Sequence, residues 1–136
     1  MPEDGFIVTD VGWNKNGVGQ QFPITVPGTF ITPSGLATMG FGRPRCWASR
    51  WRIPDRAAVA LIGDGGFSTN PSVIATAMEA ELPVVWLVMD NAGFGTIAGL
   101  ESMHYGWSVR LHVRALRSSR TASTTRRWRG RAARAA

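Results

Sequence analysis

The chain has 136 residues, enough for a single domain with one modest core. Its one cysteine excludes a disulfide framework, and no apolar run approaches the roughly 20 residues that a bilayer-spanning helix needs. The net charge of +6 is unevenly divided: residues 107–136 hold nine arginines and no acid, whereas residues 1–106 hold six basic and nine acidic side chains. The basic excess, a feature of nucleic-acid-binding proteins, therefore belongs to the C-terminal segment alone.

The N-terminal part predicts one strand followed by a long connection. Residues 6–10 form an apolar run of strand length, and residues 10–12 predict a turn at its end. Residues 12–28 are rich in Gly, Pro and Asn and predict an extended connection. The first residues lack the basic and apolar regions of a signal peptide, so a cytoplasmic location is expected.

Two further apolar runs, residues 57–62 and 83–89, predict buried strands. The segment between them predicts a helix, with Asn70 as the N-cap, Pro71 as the first helical residue and Pro83 beyond its end. Its apolar residues recur at the spacing of one helical face: Val73, Ile74, Ala77 and Met78. A strand, a crossover helix and a second strand form a parallel unit, so the pattern predicts an α/β fold with a parallel sheet.

A glycine-rich segment follows each of these two strands, at residues 62–67 and 90–95. Because parallel strands end at the same edge of a sheet, Asp64 and Asn91 are expected to lie close together. A carboxylate, an amide oxygen and a backbone carbonyl suit Mg²⁺, and glycines let the backbone approach a phosphate. Either segment alone is typical of an ordinary turn. The pair, each member at the end of a strand, predicts a magnesium diphosphate site.

Gly63-Asp64-Gly65, followed after 25 intervening residues by Asn91, resembles the signature of thiamine diphosphate enzymes. Further segments resemble the C-terminal cofactor domain of acetolactate synthase-like enzymes: residues 34–42, 54–56, 82–84 and 93–97, together with the helix from Asn70. The resemblance covers most of residues 3–106. It implies a thiamine diphosphate-binding (pyrophosphate) domain over residues 1–106, with helices on both faces of the sheet and the fold incomplete.

The resemblance also implies roles for individual residues. Asp64, Asn91 and the carbonyl of Gly93 would bind the metal, Met39 would hold the cofactor bent, and the carbonyl of Ala37 would accept a hydrogen bond from its aminopyrimidine. The other expected cofactor contacts are Gly63, Gly65, Gly66, Phe67, Phe94, Gly95, Thr96 and Ile97. Two positions depart from the family pattern: Asp90 replaces the first asparagine of the usual pair, and Gly66 stands where many relatives carry a serine whose hydroxyl contacts phosphate.

The function implied by the resemblance is carboligation or decarboxylation of a 2-oxo acid by an enzyme that is a homo-oligomer. In the family, a glutamate that acts on the pyrimidine comes from an N-terminal domain of a neighbouring subunit. Nothing in these 136 residues corresponds to that domain. We therefore expect no catalytic residue in this chain and no turnover by the chain alone.

Residues 43–52 depart from the resemblance, because Arg, Cys and Trp stand where the family has an apolar helix of the same length. Cys and Trp codons both begin with TG. If the DNA is read one base earlier, each of these codons becomes one that ends in TG, and such codons can encode Leu, Met or Val. We therefore hypothesise a frame-shifted helix. Resequenced DNA that encodes no such apolar helix in the neighbouring frame would contradict it.

Residues 107–136 have two interpretations. They form either a disordered basic arm that binds nucleic acid, with Trp128 available for stacking, or an out-of-frame translation of GC-rich DNA. The composition of residues 43–52 favours the out-of-frame interpretation over nucleic-acid binding.

Overall fold

The computed structural model describes residues 1–106. The basic segment 107–136, with both of its interpretations, lies outside the described residues. The strands are β1 (Phe6–Thr9), β2 (Phe30–Ile31), β3 (Ala58–Gly63) and β4 (Val85–Met89). The helices are α1 (Trp13–Gln21), α2 (Gly42–Arg52), α3 (Asp64–Thr69), α4 (Ser72–Glu79) and α5 (Gly95–Tyr105). Within the described range, none of these helices has the length and apolarity that a membrane crossing requires.

The four strands form one sheet in the order β2-β1-β3-β4, and every neighbouring pair is parallel. The predicted parallel α/β fold is therefore confirmed. Thr9 pairs with Leu61, and Gly63 pairs with Met89, so β1, β3 and β4 end at the same edge. The two-residue strand β2 was not predicted, because it is too short to show a period.

The chain reverses its direction across the sheet between β1 and β3. From β1 it passes through α1 to β2 on one side, and it then returns through α2 to β3 on the other side of β1. A crevice forms at such a switch point, outside the carboxyl ends of the strands, because the flanking connections run away from each other. The sheet order therefore places a ligand crevice beside residues 10–12 and 63–66.

The core lies between the sheet and α2. Cys46 of α2 packs against one face of β1 and β3, in a buried cluster with Phe6, Val8, Ala58, Ala60 and Ile62. Helix α1 contacts β1 and β3 from the other face, where Val18 is buried. Helices thus lie on both faces of the sheet, as the resemblance implied.

The prediction of an extended connection over residues 12–28 is wrong in its first half, because residues 13–21 form α1. The glycines and asparagines of this segment are poor helix formers. Tertiary contacts compensate for them: Asn14 Nδ2 donates to the Leu61 carbonyl at 3.3 Å, and Val18 is buried. Gly12, at φ 110°, makes the turn between β1 and this helix in a conformation that favours glycine.

The helix predicted from Asn70 is present as α4, which begins at Ser72, and a short helix that was not predicted, α3, precedes it in the glycine-rich segment after β3. The Asn70 side chain does not cap α4: its Nδ2 donates to the Gly40 carbonyl at 3.0 Å, and Pro71 occupies the N-cap position. Of the predicted apolar face of this helix, Ala77 is buried whereas Met78 is exposed. The amide of Asn70 is thus used to hold the turn before α2 rather than to start a helix.

Candidate functional site

A cleft of about 390 Å³ lies at the carboxyl edge of the sheet. Four parts of the chain form its walls: residues 11–14 after β1, Met39 before α2, residues 63–66 at the end of β3, and residues 89–97, except Ala92, at the end of β4. All these segments, except the turn with Met39, directly follow a strand that ends at this edge. The edge predicted from the sequence and the observed cleft are therefore the same place.

Asp64 is the first residue of α3, and its Oδ2 atom is buried without a hydrogen-bond partner. Burial raises the pKa of the Asp64 carboxyl, the negative charge of Asp90 raises it further, and a hydrogen bond from the Gly65 N–H opposes both effects. A bound cation would supply the missing partner of this oxygen. Across residues 1–106 no three His, Cys, Asp or Glu side chains cluster, so a cation here would need amide or backbone oxygens as well.

Such oxygens lie in the segment after β4, which two side chains shape. The Asp90 Oδ1 atom accepts from the Ala92 N–H at 2.9 Å, and the Asn91 Oδ1 atom accepts from the Gly93 N–H at 3.1 Å. The Gly93 carbonyl accepts from the Gly95 N–H at 3.1 Å. Each of these oxygens keeps a second lone pair, so the segment can still offer ligands to a metal ion.

Two glycines allow close contacts in the narrow part of the cleft: Gly65 lies between the segments after β3 and β4, and Gly95 lies within the segment after β4. A Cβ atom on Gly65 would lie 2.9 Å from the Phe94 ring, and one on Gly95 would lie 2.8 Å from Asn91 Nδ2. At such distances the neighbouring side chains would have to shift to make room for a Cβ atom. The narrow part of the cleft therefore favours glycine at both positions, which leaves backbone amides accessible at close range.

The start of α1 adds two cleft residues that the sequence reasoning missed, Trp13 and Asn14. Trp13 lies against the segment after β4, since a Cβ atom on Gly95 would be 3.2 Å from its Cδ1 atom. The other missed lining residues are Val11, Gly12, Met89 and Asp90. Their position at the end of a predicted strand was a usable signal, because every parallel strand delivers its following residues to the same edge.

Eleven of the predicted cofactor contacts line the cleft, whereas Ala37 and Phe67 do not. Ala37 lies in the turn before Met39 with φ 49°, an unusual conformation for a residue with a side chain. The Phe67 ring packs in the core, 3.5 Å beneath the guanidinium carbon of Arg43. Phe67 thus supports the site from behind rather than forming its surface.

Comparison with known proteins shows the family to which the chain with this cleft belongs. The family described as "Thiamine pyrophosphate enzyme, C-terminal TPP binding domain" matches residues 10–120. The chain belongs to this thiamine pyrophosphate enzyme family. The resemblance to it found in the sequence is thereby confirmed, and thiamine pyrophosphate is the same molecule as thiamine diphosphate.

Three relatives show how much of a longer protein the chain represents. It is 35% identical over 100 residues to the "Probable acetolactate synthase large subunit" of Methanococcus aeolicus, covering 74% of this chain and 17% of that protein. It is 34% identical over 109 residues to acetolactate synthase isozyme 1 large subunit of Escherichia coli, covering 80% and 19%. It is 33% identical over 104 residues to the isozyme 2 large subunit of the same organism, covering 76% and 19%. The chain therefore matches less than a fifth of the length of these relatives.

The residues of the cleft fit the cofactor domain of a thiamine pyrophosphate enzyme in two respects. An unpartnered, buried carboxylate oxygen at Asp64 suits a metal ion, and Gly65 leaves no side chain between the segments after β3 and β4. Both features lie at the same edge of the sheet, where a metal ion and a phosphate group would each need one of them.

Proposed function

We propose that this chain binds Mg²⁺ and the diphosphate of thiamine diphosphate in the cleft, as the cofactor domain of an acetolactate synthase-like 2-oxo acid carboligase or decarboxylase. The observation that carries the proposal is the buried Asp64 Oδ2 atom without a hydrogen-bond partner, at the edge where β3 and β4 end. A cation there offsets both the burial of the carboxylate and the charge of Asp90.

In this proposal Asp64, Asn91 and the carbonyl of Gly93 bind the metal. The amides of Gly65 and Gly66 lie in the first turn of α3, where N–H groups have no carbonyl of an earlier turn to bind. In this proposal both donate to phosphate oxygens, and the Gly65 N–H gives up its hydrogen bond to the Asp64 carboxyl to do so. The remaining cleft residues proposed to contact the cofactor are Met39, Gly63, Phe94, Gly95, Thr96 and Ile97. When bound, thiamine diphosphate supplies a thiazolium carbon that adds to a 2-oxo acid and accepts the electrons released with carbon dioxide.

The chain's own part in that chemistry is to bind and orient. Met39 and the segment of residues 94–97 form apolar walls that exclude water from the cleft. No side chain of the cleft is proposed to transfer a proton, so the 136-residue chain is proposed to lack turnover by itself. The intact enzyme is proposed to be a homo-oligomer that supplies the rest of the site and binds the 2-oxo acid.

Calorimetric titration with thiamine diphosphate, with and without Mg²⁺, tests the binding. We expect binding that depends on Mg²⁺ and that Asp64→Asn weakens by about tenfold or more, because the amide carries no charge for the metal. Asp55→Asn is the matched control, since it removes the same charge from an exposed acid in the loop before β3, at the opposite end of that strand. Binding that needs no divalent cation, or that Asp64→Asn leaves unchanged, would contradict the proposal.

The absence of turnover is tested with pyruvate and the purified chain in the presence of Mg²⁺ and thiamine diphosphate. We expect no carboligation or decarboxylation product above the rate of the free cofactor. Detectable product that depends on the chain would show that it carries a complete site.

A further inference from the structure

Asp10 follows the last residue of β1, and its side chain is fully buried. It does not line the cleft. A buried carboxylate is costly unless its oxygens accept hydrogen bonds, and an apolar residue would fill the same volume without that cost. The partners of Asp10 therefore indicate what the carboxylate contributes.

Both carboxylate oxygens accept from backbone amides. Oδ1 accepts from the Val11 N–H at 2.8 Å and from the Gly40 N–H at 3.0 Å, and Oδ2 accepts from the Gly42 N–H at 2.7 Å. Gly40 directly follows Met39, and Gly42 is the first residue of α2. Asp10 thus ties the end of β1 to the turn that carries the apolar residue of the cleft.

The same turn is held from its other side. The Gly40 carbonyl accepts from Asn70 Nδ2 at 3.0 Å, so both backbone groups of Gly40 are bound. Gly40 has φ 88°, and a Cβ atom there would overlap the Thr69 side chain. The position of Met39 is therefore fixed by hydrogen bonds to its neighbour, with little freedom left in the backbone.

Asp10 also contacts the opposite wall of the cleft. A Cβ atom on Gly66 would lie 2.8 Å from Asp10 Cγ, so the carboxylate packs directly against the first turn of α3, which begins with Asp64. One buried side chain therefore touches both the Met39 turn and the helix start that carries the proposed metal ligand.

We propose that Asp10 is a positioning residue, which holds Met39 at a fixed place relative to Gly66 and thereby shapes the cleft for the ring end of the cofactor. This inference rests on the proposed function, since the ring end matters only if thiamine diphosphate binds here. The diphosphate end depends on Asp64, Asn91 and the amides of Gly65 and Gly66, and none of these groups forms a hydrogen bond with Asp10. Asp10 contacts Gly66 by packing alone, which an asparagine of the same volume keeps. The two ends of the cofactor should therefore respond differently to a change at Asp10.

Asp10→Asn is the direct test, because it keeps the volume against Gly66 but turns one acceptor oxygen into a donor that faces a backbone N–H. Calorimetry compares two ligands in the presence of Mg²⁺: thiamine diphosphate and inorganic pyrophosphate. We expect Asp10→Asn to weaken thiamine diphosphate binding by about tenfold while pyrophosphate binding stays close to that of the unaltered chain.

Thr29→Val is the matched control. Thr29 is equally buried and loses one hydrogen bond, from its Oγ1 to the Val26 carbonyl at 2.7 Å, but it lies away from the cleft. We expect both affinities to be unchanged in this variant. Asn70→Ala removes the hydrogen bond on the other side of Gly40 and should reproduce the selective loss of thiamine diphosphate affinity, also where Asp10→Asn does not fold.

Equal weakening of both ligands in Asp10→Asn would show a general structural role and overturn the inference. Unchanged binding of both ligands would overturn it as well, as would an unselective effect of Asn70→Ala when Asp10→Asn does not fold. An unaltered chain that binds neither ligand would contradict the proposed function itself, and the inference with it.

Discussion

The carboxyl edge of the sheet and helix α2 are neighbours in one domain, yet their buried positions are filled in opposite ways. At the edge, the buried carboxylate of Asp10 has hydrogen-bond partners for both oxygens, and glycines stand where segments meet. In α2, the buried positions include Arg43, Cys46 and Ser49. Of the eight buried side-chain atoms without a partner in the described residues, three belong to α2, on Arg43, Trp47 and Arg50, and two belong to the cleft, on Asp64 and Thr96.

This difference shows where the local amino-acid composition suits the environment that the overall fold provides. A consistent sequence satisfies its buried polar groups, and conflicts between local composition and the fold are costly. The partners of Asp10 show agreement at the edge, where the unpartnered Asp64 oxygen is the proposed place of a metal ion. In α2, by contrast, charged and indole side chains fill an apolar environment without a proposed partner. A change of reading frame over residues 43–52 would produce this contrast, and the frame-shift hypothesis stays a prediction.

Arg43 is the clearest case of the conflict. Its side chain is 1% exposed, and burial lowers the pKa of its guanidinium. One nitrogen donates to the Asn70 carbonyl at 2.6 Å and the guanidinium stacks on Phe67, but Nε has no partner. Within residues 1–106 no carboxylate forms an ion pair with it. The charge is thus only partly compensated.

The largest expected effect is therefore a gain in stability from Arg43→Leu. Leucine keeps apolar contact with Phe67 and removes a buried charge, so we expect the free energy of unfolding to rise by about 1–4 kcal/mol. Urea unfolding followed by circular dichroism measures it. Arg45→Leu is the control in the same helix, because Arg45 is exposed and its replacement should change stability by less than about 0.5 kcal/mol. A less stable Arg43→Leu variant would show that this cation is integrated into the core.

At the edge, the corresponding change should have the opposite sign. Gly66→Ala places a methyl group 2.8 Å from Asp10 Cγ, and such overpacking is expected to lower the free energy of unfolding by about 1–3 kcal/mol. Gly17→Ala is the control, since it lies within α1 with no atom nearby and should stabilise the helix by up to about 1 kcal/mol. Equal stabilisation in the two variants would mean that the edge is not tightly packed.

Much of the edge could be predicted from the sequence because the residues that specify it are close to one another along the chain. Runs of Val, Ile and Leu specify β3 and β4, and parallel strands necessarily end together, so Asp64 and Asn91 were expected at one place. The glycines around them also carry a local signal. Prediction works here because strand ends, unlike the contacts of side chains, follow directly from chain order.

The remaining parts depend on contacts between residues far apart in the chain. Helix α1 is stabilised by the contact of Asn14 with Leu61, and Asp10 finds its partners at Gly40 and Gly42, about thirty residues away. No periodicity of the segment itself reports such contacts. The role of Asn70 as an N-cap was wrongly predicted for the same reason, since its side chain is bound to Gly40 rather than to a helix start.

The smallest predicted effect concerns Cys46, the buried thiol of α2. Burial raises its pKa from 9.0 to about 12, so between these values the folded chain binds a proton that the unfolded chain has released. Stability contributed by this group is present below pH 9.0 and falls as the pH rises towards 12. We expect the unaltered chain to lose about 1 kcal/mol more stability than Cys46→Ala between pH 8 and pH 10, as measured by urea unfolding at both values. Parallel losses in the two chains would mean that α2 admits water to its buried side, and the conflict of packing in α2 would then be smaller than its unpartnered atoms indicate.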